Sequence, residues 1–137
     1  MARRKSKTLT ELELEIMNVL WRKGRATVQE IRDIMADHRP LAYTSISTMM
    51  GILEKKGYVA HDTQGRSYVY RPTVERVKAQ RSLVQNFLAR VFHGSPALLM
   101  LNLIANEEIS PSELDHVQRA IDRRKKEIVN NDGSESS

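Results

Sequence analysis

The residues in this chain best suited to chemistry are small hydroxyls at helical spacing. In "TSISTMMGILEKKG", residues 44–57, Thr44, Ser45, Ser47 and Thr48 interleave with apolar side chains, and Gly51 and Lys55 follow. At about 100° per residue, Ile46, Met49, Met50 and Leu53 fall within about 100° of arc and must face a core. Thr44, Thr48, Gly51 and Lys55 gather on the opposite side, with Ser47 on the flank. Hydroxyls on such a face can reach phosphates or base edges of a duplex. Gly51 would cost a helix roughly 1 kcal/mol relative to Ala, so the position asks for a reason. Close backbone approach to DNA is one, and tight packing against a neighbouring helix is the alternative. Arg66, directly after Gly65 in "QGRSYVYRP", can reach backbone phosphate or the minor groove, and Arg71 is a second choice at the hairpin base. Lys55 and Lys56 also suit the negative end of a helix dipole.

Other chemistries find little support. The chain has no Cys, which excludes a disulfide framework, a thiolate zinc site and a cysteine nucleophile, and points to a reducing compartment. His38, His61, His93 and His116 are scattered, each reading as a surface or packed side chain, and no HExxH, nucleophile elbow or Gly-rich phosphate loop occurs. No enzyme activity, metal or cofactor is therefore expected. The longest apolar run, "PALLMLNLIA", is too short for a membrane span, so a cytoplasmic, membrane-free protein is the expectation.

The net charge of +5 is unevenly placed. Residues 1–72 hold thirteen Lys or Arg against eight Asp or Glu, whereas residues 73–137 hold nine of each. The whole excess lies in the N-terminal part, where a polyanion is the natural partner.

The elements that must position these residues follow from period and punctuation. "LTELELEIMNVLWRKG" carries a capping box, Thr10 with Glu13, and stops at Gly24; "TVQEIRDIMADH" repeats the device with Thr27 and Glu30 and an apolar stripe of Val28, Ile31, Ile34 and Met35. A third helix runs from about Ala42 to Lys56. The period then changes to 2 around "QG", which predicts a hairpin turning at Gly65. Three helices and a two-stranded hairpin is the winged helix-turn-helix plan, in which the third helix enters the major groove.

From Thr73 a long helical pattern places Val77, Val84, Phe87, Leu88 and Val91 on one side. "SPALLMLNLIANE", with Leu99 and Leu103, is apolar nearly all round and should be buried within the chain or against another copy. "SPSE" at 110–113 opens a last helix with Ser110 as cap. The fold class is mainly α with a small β-hairpin wing. The expected plan is a basic flexible arm over 1–8 that includes Arg4, a winged-helix DNA-binding domain over 9–72, a helical dimerisation domain over 73–129 and a disordered tail over 130–137.

The "LT-x-x-E-x-x-IM-x-x-LW" opening, the "AYT" at Ala42, Tyr43 and Thr44 and the "LEKKG" ending the third helix resemble the penicillinase-repressor (BlaI/MecI) family of winged-helix regulators, over about Leu9 to Glu127. The resemblance implies a homodimeric transcriptional repressor that binds double-stranded operator DNA at an inverted repeat. DNA contacts would come from Arg4, Tyr43, Thr44, Ser45, Ser47, Thr48, Gly51, Lys55 and Arg66; the dimer would form through Val84, Phe87, Leu88, Val91, Leu99 and Leu103. It also implies control of β-lactam response genes, hence antibiotic resistance, with relief when a sensor-activated protease cuts the C-terminal domain. Asn102 and Leu103 stand at the corresponding position, with Leu where the best-studied members carry an aromatic residue. The metal-binding Cys motif of a copper-responsive branch is absent from the sequence. Two other classes compete: a winged-helix protein-interaction module, whose exposed face should be apolar, and a small-molecule-sensing regulator with a pocket between C-terminal helices.

Overall fold

A computed structural model describes residues 8–135, so Arg4 and the rest of the expected arm up to residue 7 lie outside them. Helix α1 (Glu11–Lys23) begins with the capping box: the Glu13 N–H donates to Thr10 Oγ1 at 3.2 Å and the Thr10 N–H to Glu13 Oε1 at 2.7 Å. Helix α2 (Val28–Met35) repeats it, with Glu30 N–H on Thr27 Oγ1 at 3.1 Å and Thr27 N–H on Glu30 Oε1 at 3.0 Å. Each box satisfies two of the four donors that a helix N-terminus leaves orphaned. Helix α3 (Tyr43–Lys55) starts at Ala42, which offers no side-chain cap.

Strand β1 (Val59–Gln64) pairs antiparallel with β2 (Ser67–Pro72), from Val59 opposite Pro72 to Gln64 opposite Ser67. That register leaves a two-residue loop, Gly65 and Arg66, with Gly65 at φ 64°, so the turn lies one residue later than "QG" suggests. Positive φ at the first loop position matches the strand twist of a tight hairpin, and glycine adopts it without strain. Ala26 adds a third lane to the sheet, giving its N–H to Tyr70 O at 3.0 Å and taking the Tyr70 N–H at 2.8 Å.

The core is the apolar face of all three helices closed by the base of the hairpin. Ile16, Met17 and Leu20 from α1, Ile31 and Met35 from α2, and Ile46, Met50 and Leu53 from α3 are wholly buried. Each such side chain contributes roughly 1.5–3 kcal/mol of burial. Met49 is half-buried at the edge of this cluster. Ile34, expected in the α2 stripe, is 42% exposed: at one helical turn it lies beside the stripe's rim and is not in it.

Helix α4 (Arg76–Val91) begins on the winged-helix core. The Trp21 indole N–H donates to Val74 O at 2.9 Å, the Arg76 guanidinium lies 5.8 Å from the indole centroid, and Ala79 and Leu83 pack on the core cluster. The chain divides into two compact units inside α4, after Phe87, and not at the Pro72/Thr73 junction.

In the second unit Ser95 Oγ accepts the Leu98 N–H at 3.2 Å to cap α5 (Pro96–Ile104), with proline at the first helical position. Ser110 caps α6 (Pro111–Glu135) by accepting the Glu113 N–H at 3.2 Å. The Glu113 carboxylate takes the Ser110 hydroxyl at 3.3 Å, in place of the expected backbone N–H. Residues 130–135 continue α6, where a disordered tail was expected; once a long helix exists, each added residue brings its own hydrogen bond and needs no new nucleus.

Of the two covers expected for the apolar run, the same chain or another copy, the described residues of this chain do not supply the first. Helix α5 has no buried residue: Leu98, Leu101 and Leu103 are 48%, 63% and 49% exposed. Of the described side chains from residue 88 onward, Leu88 alone is buried. The described helices of this unit do not offer the opposing apolar surface that would bury a stripe of this width. Among the described residues no single helix is long and apolar enough to cross a membrane.

Candidate nucleic-acid interface

The polar face of α3 is open along its length. Tyr43, Thr44, Ser45, Ser47, Thr48, Gly51 and Lys55 are all exposed, while Ile46, Met50 and Leu53 anchor the reverse side. A methyl group built on Gly51 would meet no heavy atom within 4 Å. Among the described residues this removes the packing explanation for the glycine, because no heavy atom occupies the space. What is left is a helix surface without a side chain at its middle, flanked by hydroxyls.

The wing lies beside this face. Arg66 at its tip shares a cleft of about 270 Å³ with Tyr43 and Ser47 of α3, Tyr68 of β2, and Thr27 and Gln29 at the start of α2. Among the described residues Arg66 has no acidic partner, so its guanidinium is uncommitted. Burial, then the nearby Glu54 charge, pushes the Tyr70 hydroxyl at the cleft wall above its ordinary value of 10.0.

Three other basic residues are spoken for. Arg71 Nε and Arg25 Nη2 both hold Asp62 Oδ2, at 3.2 and 3.0 Å, so these cations brace the wing from the side. Lys56, unlike its exposed neighbour Lys55, points inward: its Nζ lies 2.7 Å from Glu13 Oε1 and 3.2 Å from Thr8 O. Burial raises the Glu13 carboxyl, but the Lys56 hydrogen bond, the Thr10 N–H and the Lys56 charge outweigh it and hold the group below its ordinary 4.5. Glu13 therefore serves two masters, the cap of α1 and the end of α3. Pairwise sequence spacing signals only the cap; the lysine is 43 residues away.

The residues expected to make the dimer divide. Val84, Phe87, Val91 and Leu103 are exposed, Leu99 is half-buried and Leu88 is buried. Asn102 and Leu103 both lie inside α5 and are exposed. No group of three or more His, Cys, Asp or Glu side chains suited to a metal ion occurs among the described residues.

The comparisons with known proteins agree with this architecture. The chain is 27% identical over 117 residues to the penicillinase repressor of Bacillus licheniformis, covering 85% of this chain and 91% of that one. It is 24% identical over 120 residues to the methicillin resistance regulatory protein MecI of Mammaliicoccus sciuri, covering 88% and 98%. Among solved structures, a possible transcriptional regulator for arsenical resistance shares the fold, with a TM-score of 0.52, 23% identity, and 71% of this chain and 91% of that chain covered. The penicillinase repressor family model matches residues 9–123. That span takes in the whole winged helix together with α4, α5 and the first half of α6, and the chain belongs to the penicillinase repressor family of transcriptional regulators.

Proposed function

We propose that this protein is a DNA-binding transcriptional repressor whose homodimer docks two α3 helices into successive major grooves of an inverted-repeat operator and thereby occludes a promoter. The observation that carries the reading is the open, hydroxyl-lined face of α3 with nothing over Gly51. Thr44, Ser47 and Thr48 contact base edges and phosphates, Tyr43, Ser45 and Lys55 flank them, and Arg66 reaches backbone phosphate or the minor groove. A partner-protein surface would instead be apolar at its centre. At about 1.5 Å per residue α3 spans roughly 20 Å, ample for a groove about 12 Å wide.

The dimer reading rests on α5: a helix of mean apolar character with no buried residue needs a second surface, and another copy supplies the same one by two-fold symmetry. Val84, Phe87 and Val91 on α4 are exposed apolar side chains too, and the same association would cover them. Cutting between Asn102 and Leu103 would sever α5 two residues before its C-terminal end, break its apolar run, dissolve the dimer and release the operator. A sensor-activated protease in a β-lactam response is the relief consistent with the named relatives.

Footprinting on the chain's own upstream region tests the mechanism. Protection of two symmetry-related half-sites, about one helical turn or a small multiple apart, is expected. Protection of a single unsymmetrical half-site would remove the two-fold arrangement.

A further inference from the structure

His61 stands where the wing meets the end of α3, outside the face that reads DNA. Its Nδ1 lies 2.5 Å from Glu54 Oε1 in the last turn of α3, and its ring stacks on Tyr68 with centroids 4.2 Å apart and planes at 22°. The Tyr70 ring is tilted against it at 5.7 Å. Tyr68 also lines the cleft that holds Arg66, Tyr43 and Ser47. One side chain thus touches the recognition helix on one side and the arginine-bearing strand pair on the other.

The remaining fixings of the hairpin lie at its base, along the outer edge of β2 at the level of His61, or on its opposite face. Tyr58 N–H bonds Leu53 O at 3.0 Å, Thr73 N–H bonds Tyr58 O at 2.8 Å, and Ala26 pairs with Tyr70. Asp62, pointing the other way because strand side chains alternate, is held by Arg25 and Arg71. Base contacts hold a hairpin in place without fixing the angle of its tip. Lateral contacts part-way along do fix it: Asp62 with Arg25 on the opposite face, Ala26 with Tyr70 at the strand edge, and His61 with Glu54 as the contact made to α3 itself.

We propose that His61 is a positioning residue for DNA binding: through Glu54 and Tyr68 it sets the angle of the wing against α3, and so the place of Arg66 relative to the hydroxyl face. This rests on the DNA-binding reading above. The gain appears in discrimination, because only a duplex that fits α3 and the wing together rewards a fixed angle.

The test is a double-mutant cycle. Wild type, His61→Ala, Arg66→Ala and the double variant are titrated by fluorescence anisotropy against two probes. One is a duplex enriched by the wild type from a random library; the other is a scrambled duplex of the same length and composition. His61→Ala should weaken the enriched duplex roughly three- to tenfold, the scale of one lost hydrogen bond, and leave the scrambled one within about twofold. With Arg66 already removed, the same change should cost less than about twofold. Asn at position 61 keeps a donor near the Nδ1 position and should restore at least half of the loss. Glu54→Ala, which removes the acceptor from the α3 side, should reproduce the loss should His61→Ala prove poorly folded by circular dichroism. Equal weakening of both probes, or a His61→Ala loss of the same size with and without Arg66, overturns the inference while leaving the DNA-binding reading intact. A wild type that enriches no duplex overturns that reading and the inference with it.

Discussion

Gly51→Ala should make the protein more stable and a worse DNA binder. The two effects come from the same open space. Gly51 sits in the body of α3 without positive φ, and a methyl added there meets nothing within 4 Å, so the substitution brings neither strain nor clash in the free protein. It removes the backbone freedom that glycine retains in the unfolded chain, stabilising by about 0.5–1 kcal/mol. For a unit of this size that raises Tm by roughly 2–8 °C. In the proposed complex the same methyl would point at the groove. If the backbone approaches as closely as a bare glycine allows, overpacking costs about 1–3 kcal/mol, equivalent to a roughly 5- to 150-fold loss of affinity. Urea unfolding followed by Trp21, the sole tryptophan, reads the first effect; anisotropy with a labelled duplex reads the second. Trp21 is suited to this because it contacts Val74 and Arg76 and loses both on unfolding. Lower stability would mean that the space is not empty. Unchanged affinity would mean that Gly51 does not face DNA, and the role given to α3 would go with it.

Four further outcomes follow from the same geometry. Lys56→Ala leaves the Glu13 carboxylate, 2% exposed, without its cation and should cost about 2–4 kcal/mol in urea unfolding, whereas exchanging both partners for apolar residues of similar volume should recover most of it; a loss below about 0.5 kcal/mol would show the pair to be incidental. Glu13 is held below its ordinary 4.5, and so is Glu30, mainly by the Thr27 N–H and then by Lys23; depressed carboxyls contribute stability that is complete above 4.5 and disappears as pH falls through their folded values, so the urea midpoint should drop below pH 4.5 and a flat acid limb would contradict the assignment. Arg66→Ala should weaken all duplexes alike and shallow the slope of log affinity against log salt by about 0.9, while Thr48→Ala should reorder preference among sequences; a mobility-shift series unchanged by both would remove these roles. Leu103→Glu should turn a dimer into a monomer in sedimentation velocity without altering unfolding of the winged helix, and an unaltered sedimentation coefficient would place the association elsewhere.

Much of this was legible before any coordinates. The face of α3 follows from period alone, since four apolar residues within about 100° leave the other side no choice, and Ile46, Met50 and Leu53 are indeed wholly buried. The capping boxes of α1 and α2 were readable because their partners are three residues apart. What escaped the sequence is non-local. Lys55 and Lys56 look alike as neighbours, yet the end of α3 turns one outward and the other onto Glu13. Arg71, by sequence a second choice to Arg66, is committed by the pairing register, which sets it beside Asp62. The one-residue shift of the turn has the same origin, because register is decided across the strands and not along them. For α5, composition showed the need for a cover and could not say that this chain provides none.

That bare α5 separates the two parts of the molecule in kind. Folding of the winged helix is a private affair of one polypeptide, settled at any dilution. Helices without a roof of their own answer instead to how many siblings are nearby, so their order is a property of the population. If sibling chains are what shelter them, a cell that halves its supply loses paired molecules up to fourfold at the dilute limit, and gene control gains a steepness that no single site on one polypeptide could provide.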